Sequence, residues 1–263
     1  MTEPVINLQI SDGIATIFLN RPDMHNALNA EMIDTLLNIL SDLEVNKSVR
    51  TVVLTTKGSN FCAGADLNLM KEISDEQNYS FFSLQLAELM STLDNLSKPT
   101  LAFVRGAVYG GGIGLVACCD IALASQNTHF CFSEVRLGLI PSVISPYVIK
   151  AIGARAARRY LLTAEKLSAK QACSIGLIHE VLVESELQSR ASEISQNLIL
   201  GGPSALARTK LLIKDVSQSK LDWTLIDDSI TWLNETRKTV EAKEGINAFF
   251  DKRAANWVNI KKD

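Results

Sequence analysis

Two stretches of small residues and one carboxylate carry the chemistry this chain could do. Gly110-Gly111-Gly112-Ile113-Gly114-Leu115-Val116-Ala117 follows a strand-like run and opens a short apolar helix. Phe61-Cys62-Ala63-Gly64-Ala65-Asp66 likewise follows a strand-like run and enters a helix. Glycines at a helix N-terminus leave backbone N–H groups facing whatever lies above them, and the helix dipole adds partial positive charge there. Two such loops could aim two N–H groups at one oxygen, which is the construction of an oxyanion hole. Two other readings of the glycine run stand beside this one. Its G-x-G-x-x-A spacing, with Glu134 twenty-two residues beyond Gly112, has the form of a dinucleotide fingerprint. Against that, Glu134 leads into Val-Arg-Leu-Gly-Leu-Ile-Pro, a turn into helices, where the fingerprint's acid ends the next strand. The other reading is structural: glycines there permit close helix–strand packing.

Glu134 has apolar Phe130, Phe132 and Leu137 around it in sequence. A carboxylate in such surroundings is expected to have a raised pKa, which suits proton transfer near neutral pH. The plain alternative is a surface carboxylate paired with Arg136. Asp66, after Ala65 at a helix start, reads as a helix cap or first-turn acid. His25 and Asn26 read as fixing a turn near a substrate entrance. The three histidines, His25, His129 and His179, form no metal-ligand motif.

The elements that must position these residues are legible as periodicity. Val5–Ile10 and Ile14–Leu19 alternate around Asp12-Gly13, a hairpin signal. Asn26–Leu40 has helical spacing, Val49–Thr55 reads as a buried strand, and a long helix through Ser80–Leu96 ends before Pro99. Strands are expected at Thr100–Val104, Ile121–Ala124, His129–Phe132 and near Ile178–Val183, with helices at 154–163 and 169–175. From Glu186 onward the pattern is helical, broken most clearly at Gly201-Gly202-Pro203. A rhythm of strand, strand, helix recurs about four times before that helical tail, which makes the fold class α/β.

Composition narrows the class. The 263 residues are 47% apolar and 21% charged, ordinary for a globular chain, so disordered and fibrous classes are excluded. A net charge of −3 gives no global case for nucleic acid or an anionic membrane as partner. The charge is uneven, however: residues 1–130 hold 7 basic and 14 acidic side chains, residues 131–263 hold 19 and 15. A polyanionic ligand would find more to meet it in the second half. Five cysteines without a CxxC pair fit buried thiols in a reducing compartment. The most apolar window, between Arg105 and Asp120, is too short and glycine-rich for a bilayer span. The N-terminus MTEPVINLQISDG has neither a basic n-region nor an apolar h-region, so the expectation is a soluble cytoplasmic protein without a signal peptide.

Taken together, Phe61-Cys-Ala-Gly-Ala-Asp66, Gly106-x-x-x-Gly-Gly-Gly112 leading to Cys119-Asp120-Ile121-Ala122, Phe130-x-x-Ser-Glu134 and Leu137-Gly-Leu-Ile-Pro141 resemble the enoyl-CoA hydratase/isomerase (crotonase) family. Leu19-Asn-Arg-Pro22 with Asn26-Ala-Leu28, and Ala169-x-x-Ala172-x-x-x-Gly176-Leu177-Ile178, resemble it as well. The resemblance implies a spiral of ββα repeats over residues 1–200 and a helical C-terminal trimerisation region over 201–263, assembled as a homotrimer or homohexamer. It implies an acyl-CoA thioester as ligand and neither a metal nor a redox cofactor. By position it puts the oxyanion-hole N–H groups on Ala65 and Gly111, and one of the family's two hydratase glutamates on Glu134. The other glutamate falls where this chain has Gly114. Asp120 belongs to the family's Cys-Asp pair, so a structural role is expected of it. Ala63 and Lys252 are the positions implied for coenzyme A, Lys252 often from a neighbouring subunit; the alternative for Lys252 is a solvated helix face.

The run from Cys131 to Pro146, with Gly in place of the first glutamate, is similar to the methylglutaconyl-CoA hydratase branch of bacterial leucine and isoprenoid degradation. The expected reaction is hydration of a 2-enoyl-CoA with a branched or carboxylated acyl chain. Its rival within the family is Δ3–Δ2 enoyl-CoA isomerisation, which needs one carboxylate only. From other classes, an NAD(P)-dependent oxidoreductase and a non-catalytic CoA-binding protein remain as alternatives.

Overall fold

A computed structural model describes residues 3–66 and 76–258. Strands β1 (Ile6–Ser11) and β2 (Ile14–Leu19) form the expected hairpin, with Asp12 and Gly13 both at positive φ in its turn. From β2 onward the main sheet is parallel: β2, β3 (Thr51–Thr56), β4 (Thr100–Val104), β6 (Ile121–Ser125) and β9 (Glu180–Leu182) lie side by side, with β5 (Ala107–Tyr109), β7 (His129–Cys131) and β8 (Leu167–Ser168) in a second, three-stranded sheet. A parallel sheet buried on both faces needs strands without a polar side, and β3 and β4 are buried at every residue. Val52, Leu54, Ala102 and Val104 face the large core, while Val53, Leu101 and Phe103 face a smaller one closed by Leu187 and Ala191 of helix α6 (Glu184–Leu200).

The strand–strand–helix rhythm has a specific geometric meaning. In each turn the first strand joins the main sheet and the second segment steps into the small one. β4 is followed by β5, and β6 by β7. After β3 the second segment is reduced to a bridge between Cys62 and Val108, and before it Leu28 bridges Ala65. The first small-residue loop therefore supplies two rungs of one ladder, Leu28–Ala65 and Cys62–Val108, and β5, which pairs with β7, leads directly into the second.

Helix α1 (Ala30–Val45) starts four residues later than its apolar spacing suggests and runs to Val45, not Leu40. Asn26 is the reason. It is fully buried at φ +54°, and its side chain donates to the Lys57 and Asn60 carbonyls, so Asn29 becomes the N-cap, accepting from Met32 N–H at 3.0 Å. Helix α2 (Glu76–Asn95) packs on α1, and α3 (Gly111–Cys118) packs on α2 and on α4 (Ser145–Thr163). After the short α5 (Ala169–Ser174) and α6, three more helices follow: α7 (Pro203–Gln218), α8 (Trp223–Arg237) and α9 (Val240–Phe250). Cys62, Cys118, Cys119 and Cys131 are buried thiols and Cys173 is partly exposed. Among the described residues no helix is long and apolar enough to cross a membrane, and no group of His, Cys, Asp or Glu is placed to hold a metal ion.

Polar fastenings tie the tail to the sheet. Asp120 accepts from Thr100 N–H at 2.7 Å and pairs with Lys210 of α7 at 2.7 Å, the structural role expected of it. Arg50, only 7% exposed, donates to the Gly201 carbonyl at 2.6 Å and the Trp257 carbonyl at 2.8 Å. Removing a donor from two such carbonyls costs about 1–3 kcal/mol for each that stays dry. Arg50→Met is expected to lower unfolding free energy by about 2–4 kcal/mol in urea titrations at fixed protein concentration; a loss under about 0.5 kcal/mol would show that these contacts are dispensable.

Candidate active site

The ladder positions the first loop. Leu28 N–H donates to the Gly64 carbonyl at 2.7 Å and Asp66 N–H donates to the Leu28 carbonyl at 2.9 Å. In a parallel bridge of this kind the residue between, Ala65, turns its own N–H to the other side. The second loop is set by Gly110, at φ +45° and ψ −116°, a conformation open to glycine and few other residues. Helix α3 begins one residue later. Ile113 and Gly114 N–H donate back to the Gly110 carbonyl at 2.9 and 3.3 Å. Gly111 N–H, in the first turn, has no intrahelical acceptor. Neither Ala65 N–H nor Gly111 N–H donates to any described residue.

The loops meet each other and the carboxylate. A Cβ added to Gly110 would lie 3.9 Å from Gly64 Cα and 3.0 Å from Glu134 Oε1. Ala63, Ala65, Gly111 and Glu134 all line one cavity of about 600 Å³. Its other walls are Phe82 and Leu86 of α2 and the segment Leu137–Ile144. The sequence places four of the five expected site residues here together. Lys252 is the exception: it sits on an exposed turn after α9, at φ +52°, and does not line this cavity.

Glu134 opens a 3-10 turn, Glu134–Leu137, and its Oε2 is buried with no hydrogen-bond partner among the described residues. Burial pushes its carboxyl above the ordinary carboxylate range, offset in part by its own backbone N–H. The alternative pairing with Arg136 does not form; Arg136 donates to the Ala164 carbonyl at 2.8 Å. The apolar surroundings also differ in detail from the sequence expectation. Phe130 and Phe132 are buried in the core, and the cavity wall near Glu134 is Leu137, Leu139 and Ile140.

Gly114 shows why a second carboxylate is missing. A Cβ there would fall 2.4 Å from Ile144 Cγ2 and 3.0 Å from Met90 Sδ. The space is filled by apolar side chains from α2 and from just before α4, so no residue larger than glycine fits without rearrangement. Gly112 is packed as closely, 2.7 Å from Cys62 Cβ. The structural reading of the glycine run thus holds for Gly112 and Gly114, while Gly111 faces the cavity. Ile144 and Met90 were not foreseeable as functional residues; the one hint was Gly114 itself, a gap that something else had to fill.

His25 and Asn26 form the expected turn, both at positive φ, and it fastens the loop: Ala63 N–H donates to the His25 carbonyl at 3.0 Å. Asp66 is 4% exposed and pairs with Arg21 at 2.9 Å; the helix it was expected to cap lies outside the described residues.

Residues 9–260 match the enoyl-CoA hydratase/isomerase family. The chain is 32% identical to the short-chain-enoyl-CoA hydratase of Clostridium acetobutylicum, over 94% of each chain. It is 28% identical to a crotonyl-CoA hydratase of Syntrophomonas wolfei, over 97% of this chain and 98% of that one. Its structure superposes on that of an enoyl-CoA hydratase from Shewanella pealeana with a TM-score of 0.93, at 38% identity over 96% of each chain.

A buried carboxylate without a partner costs stability. Because the folded-state pKa of Glu134 is raised, its proton is held more tightly in the folded protein. The stabilising contribution is full below the unfolded-state value and is lost as pH rises through the folded one. Glu134→Gln is therefore expected to gain stability relative to wild type as pH climbs from the ordinary carboxylate range, then to level off. Thermal melts of both proteins from pH 4 to pH 9 check this, and a pH-independent difference would contradict the burial argument.

Proposed function

Because this chain belongs to the enoyl-CoA hydratase/isomerase (crotonase) family, we propose that it adds water across the double bond of a 2-enoyl-CoA thioester using Glu134 as its one acid–base group. The observation that carries this reading is the single unpartnered carboxylate sharing a cavity with two loops whose N–H groups are open. In the proposed reaction the thioester oxygen lies between Ala65 N–H and Gly111 N–H, at the positive end of α3. Water attacks C3 as Glu134 takes one of its protons. The π electrons move onto the thioester oxygen, and the two N–H groups stabilise the resulting enolate. The enolate then collapses by taking that proton from Glu134 at C2, so the carboxylate ends as it began. One carboxylate suffices because the proton it accepts is the proton it returns.

The proposed acyl group is branched or carboxylated, of the 3-methylglutaconyl kind. Supporting this, the wall beside Glu134 is apolar, and Arg136 on the exposed rim is the one cation among the described lining residues, suited to a terminal carboxylate. Ala63 and, from a neighbouring copy, Lys252 are proposed to contact coenzyme A. The second reading is Δ3–Δ2 isomerisation, favoured by the apolar filling at Gly114, since a proton shuttle between C4 and C2 needs one carboxylate and no water.

Product analysis in heavy-oxygen water, over 2-enoyl and 3-enoyl thioesters with and without a terminal carboxylate, separates the two. Hydration predicts label at C3, fastest with carboxylated chains, and a fall of roughly 10²–10⁴-fold in Glu134→Gln. A migrated double bond without label would establish the isomerase instead.

Assembly as a trimer or hexamer is proposed from the tail. Helices α7–α9 pack on one another and leave Leu211, Ile213, Leu233, Val240, Phe249 and Phe250 more than half exposed. Apolar surface on this scale marks an interface. Light scattering at micromolar concentration is expected to give three or six times the 28.8 kDa of one chain, and a monomer mass would contradict it.

A further inference from the structure

The Arg21–Pro22 step ends the hairpin, and the chemistry above makes no use of it. Yet Arg21 is turned inward. Its side chain is 17% exposed, and its guanidinium reaches two segments: Nη1 donates to the Ala27 carbonyl at 2.6 Å, and Nη2 pairs with Asp66 Oδ2 at 2.9 Å. Those two segments are the ones bridged at Leu28 and Ala65. Arg21 is itself held, since its N–H donates to Asn26 Oδ1 at 2.7 Å and its carbonyl accepts from Asn26 N–H at 2.9 Å. Ala65 therefore lies between two fixed peptides: Gly64, through its carbonyl on Leu28, and Asp66, through its N–H on Leu28 and its carboxylate on Arg21.

Stability alone is a weak reason for a buried ion pair, because desolvation offsets most of its attraction. Two effects on the neighbouring N–H are stronger reasons. A main-chain donor can be aimed only by holding its peptide plane, and Arg21 joins the two segments that define that plane. Asp66 is also one residue from Ala65, and an unneutralised carboxylate there would oppose negative charge forming on a nearby oxygen. Arg21 supplies the opposing charge at the carboxylate itself.

We propose that the Arg21–Asp66 ion pair is a positioning element for the reaction: it orients Ala65 N–H toward the thioester oxygen and cancels the Asp66 charge as the enolate forms. This rests on the reading of Ala65 as an oxyanion donor. The pair acts where charge develops, so it bears on kcat and leaves ground-state binding nearly untouched.

The test uses the full-length protein and two readouts. In steady state, Arg21→Gln is expected to lower kcat about 10- to 100-fold with KM within about threefold. The Arg21→Gln/Asp66→Asn double variant, which removes the Asp66 charge as well, should recover part of that loss. In the Glu134→Gln background, where turnover is blocked, bound 2,4-hexadienoyl-CoA reports carbonyl polarisation through the red shift of its ultraviolet band. That shift should be large with Arg21 present and reduced with Arg21→Gln. A purely structural role would lower the melting temperature while leaving kcat per folded site and the red shift intact, and that result overturns the proposal alone. No red shift even with Arg21 present would overturn the oxyanion reading and the proposal with it. If Arg21→Gln does not fold, Arg21→Lys carries the test: one ammonium cannot hold the Ala27 carbonyl and Asp66 with the guanidinium's geometry, so kcat and the red shift should still fall, and values unchanged in that variant overturn the proposal.

Discussion

A main-chain N–H has no side chain to move it, so it can be pointed only by fastening the backbone on either side. That constraint organises the whole first half of this chain. β2, β3, β4 and β6 each deliver a following segment to the small ladder, of which the first loop supplies two rungs and into which β5 brings the second loop. Leu28 grips the peptides flanking Ala65, His25 grips Ala63, and the glycine-only conformation of Gly110 sets the start of α3. The hairpin, the αL turn at His25-Asn26 and the short helix are all needed for two donors that are themselves invisible in a side-chain inventory.

The carboxylate follows from the same convergence. Glu134 lies against Gly110 because β7 pairs with β5, which carries the chain into the glycine loop. Ile144 and Met90 fill the space a side chain on Gly114 would need. Among the described lining residues Glu134 is the one carboxylate. Burial raises the Glu134 pKa and costs folded-state stability, which is consistent with the proton-carrying role proposed for it. Restoring a second carboxylate would require Ile144 and Met90 to shrink or move together with Gly114, so the single-carboxylate arrangement is packed in.

Much of this was legible in the residues. Alternation marked the hairpin and helical spacing marked α1 and α2, because those signals are local. Residue types mark two small-residue loops and an acid; the resemblance singles out Ala63, Ala65, Gly111 and Glu134 by position, and the structure gathers these four in one cavity. The start of α1 was missed because Asn26 looks helical by spacing, while its buried amide is committed to the 57–60 loop. β5 is not legible because Ala107–Tyr109 is enclosed by Gly106 and Gly110 and reads as part of the glycine run, and β8 because two residues carry no periodicity. Ile144 and Met90 were missed for a different reason: filling a void depends on which distant side chain arrives there, and Ile and Met look the same in any core. The plain alternative for Glu134, a pair with Arg136, rests on proximity in sequence alone, and Arg136 turns to the Ala164 carbonyl instead.

The central claim is that one carboxylate on one face of the substrate both activates water and protonates the α-carbon. Addition stereochemistry reads this directly. Hydration of a 2-enoyl thioester in deuterium oxide, followed by nuclear magnetic resonance of the 3-hydroxy product, should show a single deuterium at C2 on the same face as the new oxygen at C3. Anti addition would require a second proton donor on the opposite face and would contradict a single carboxylate serving both steps.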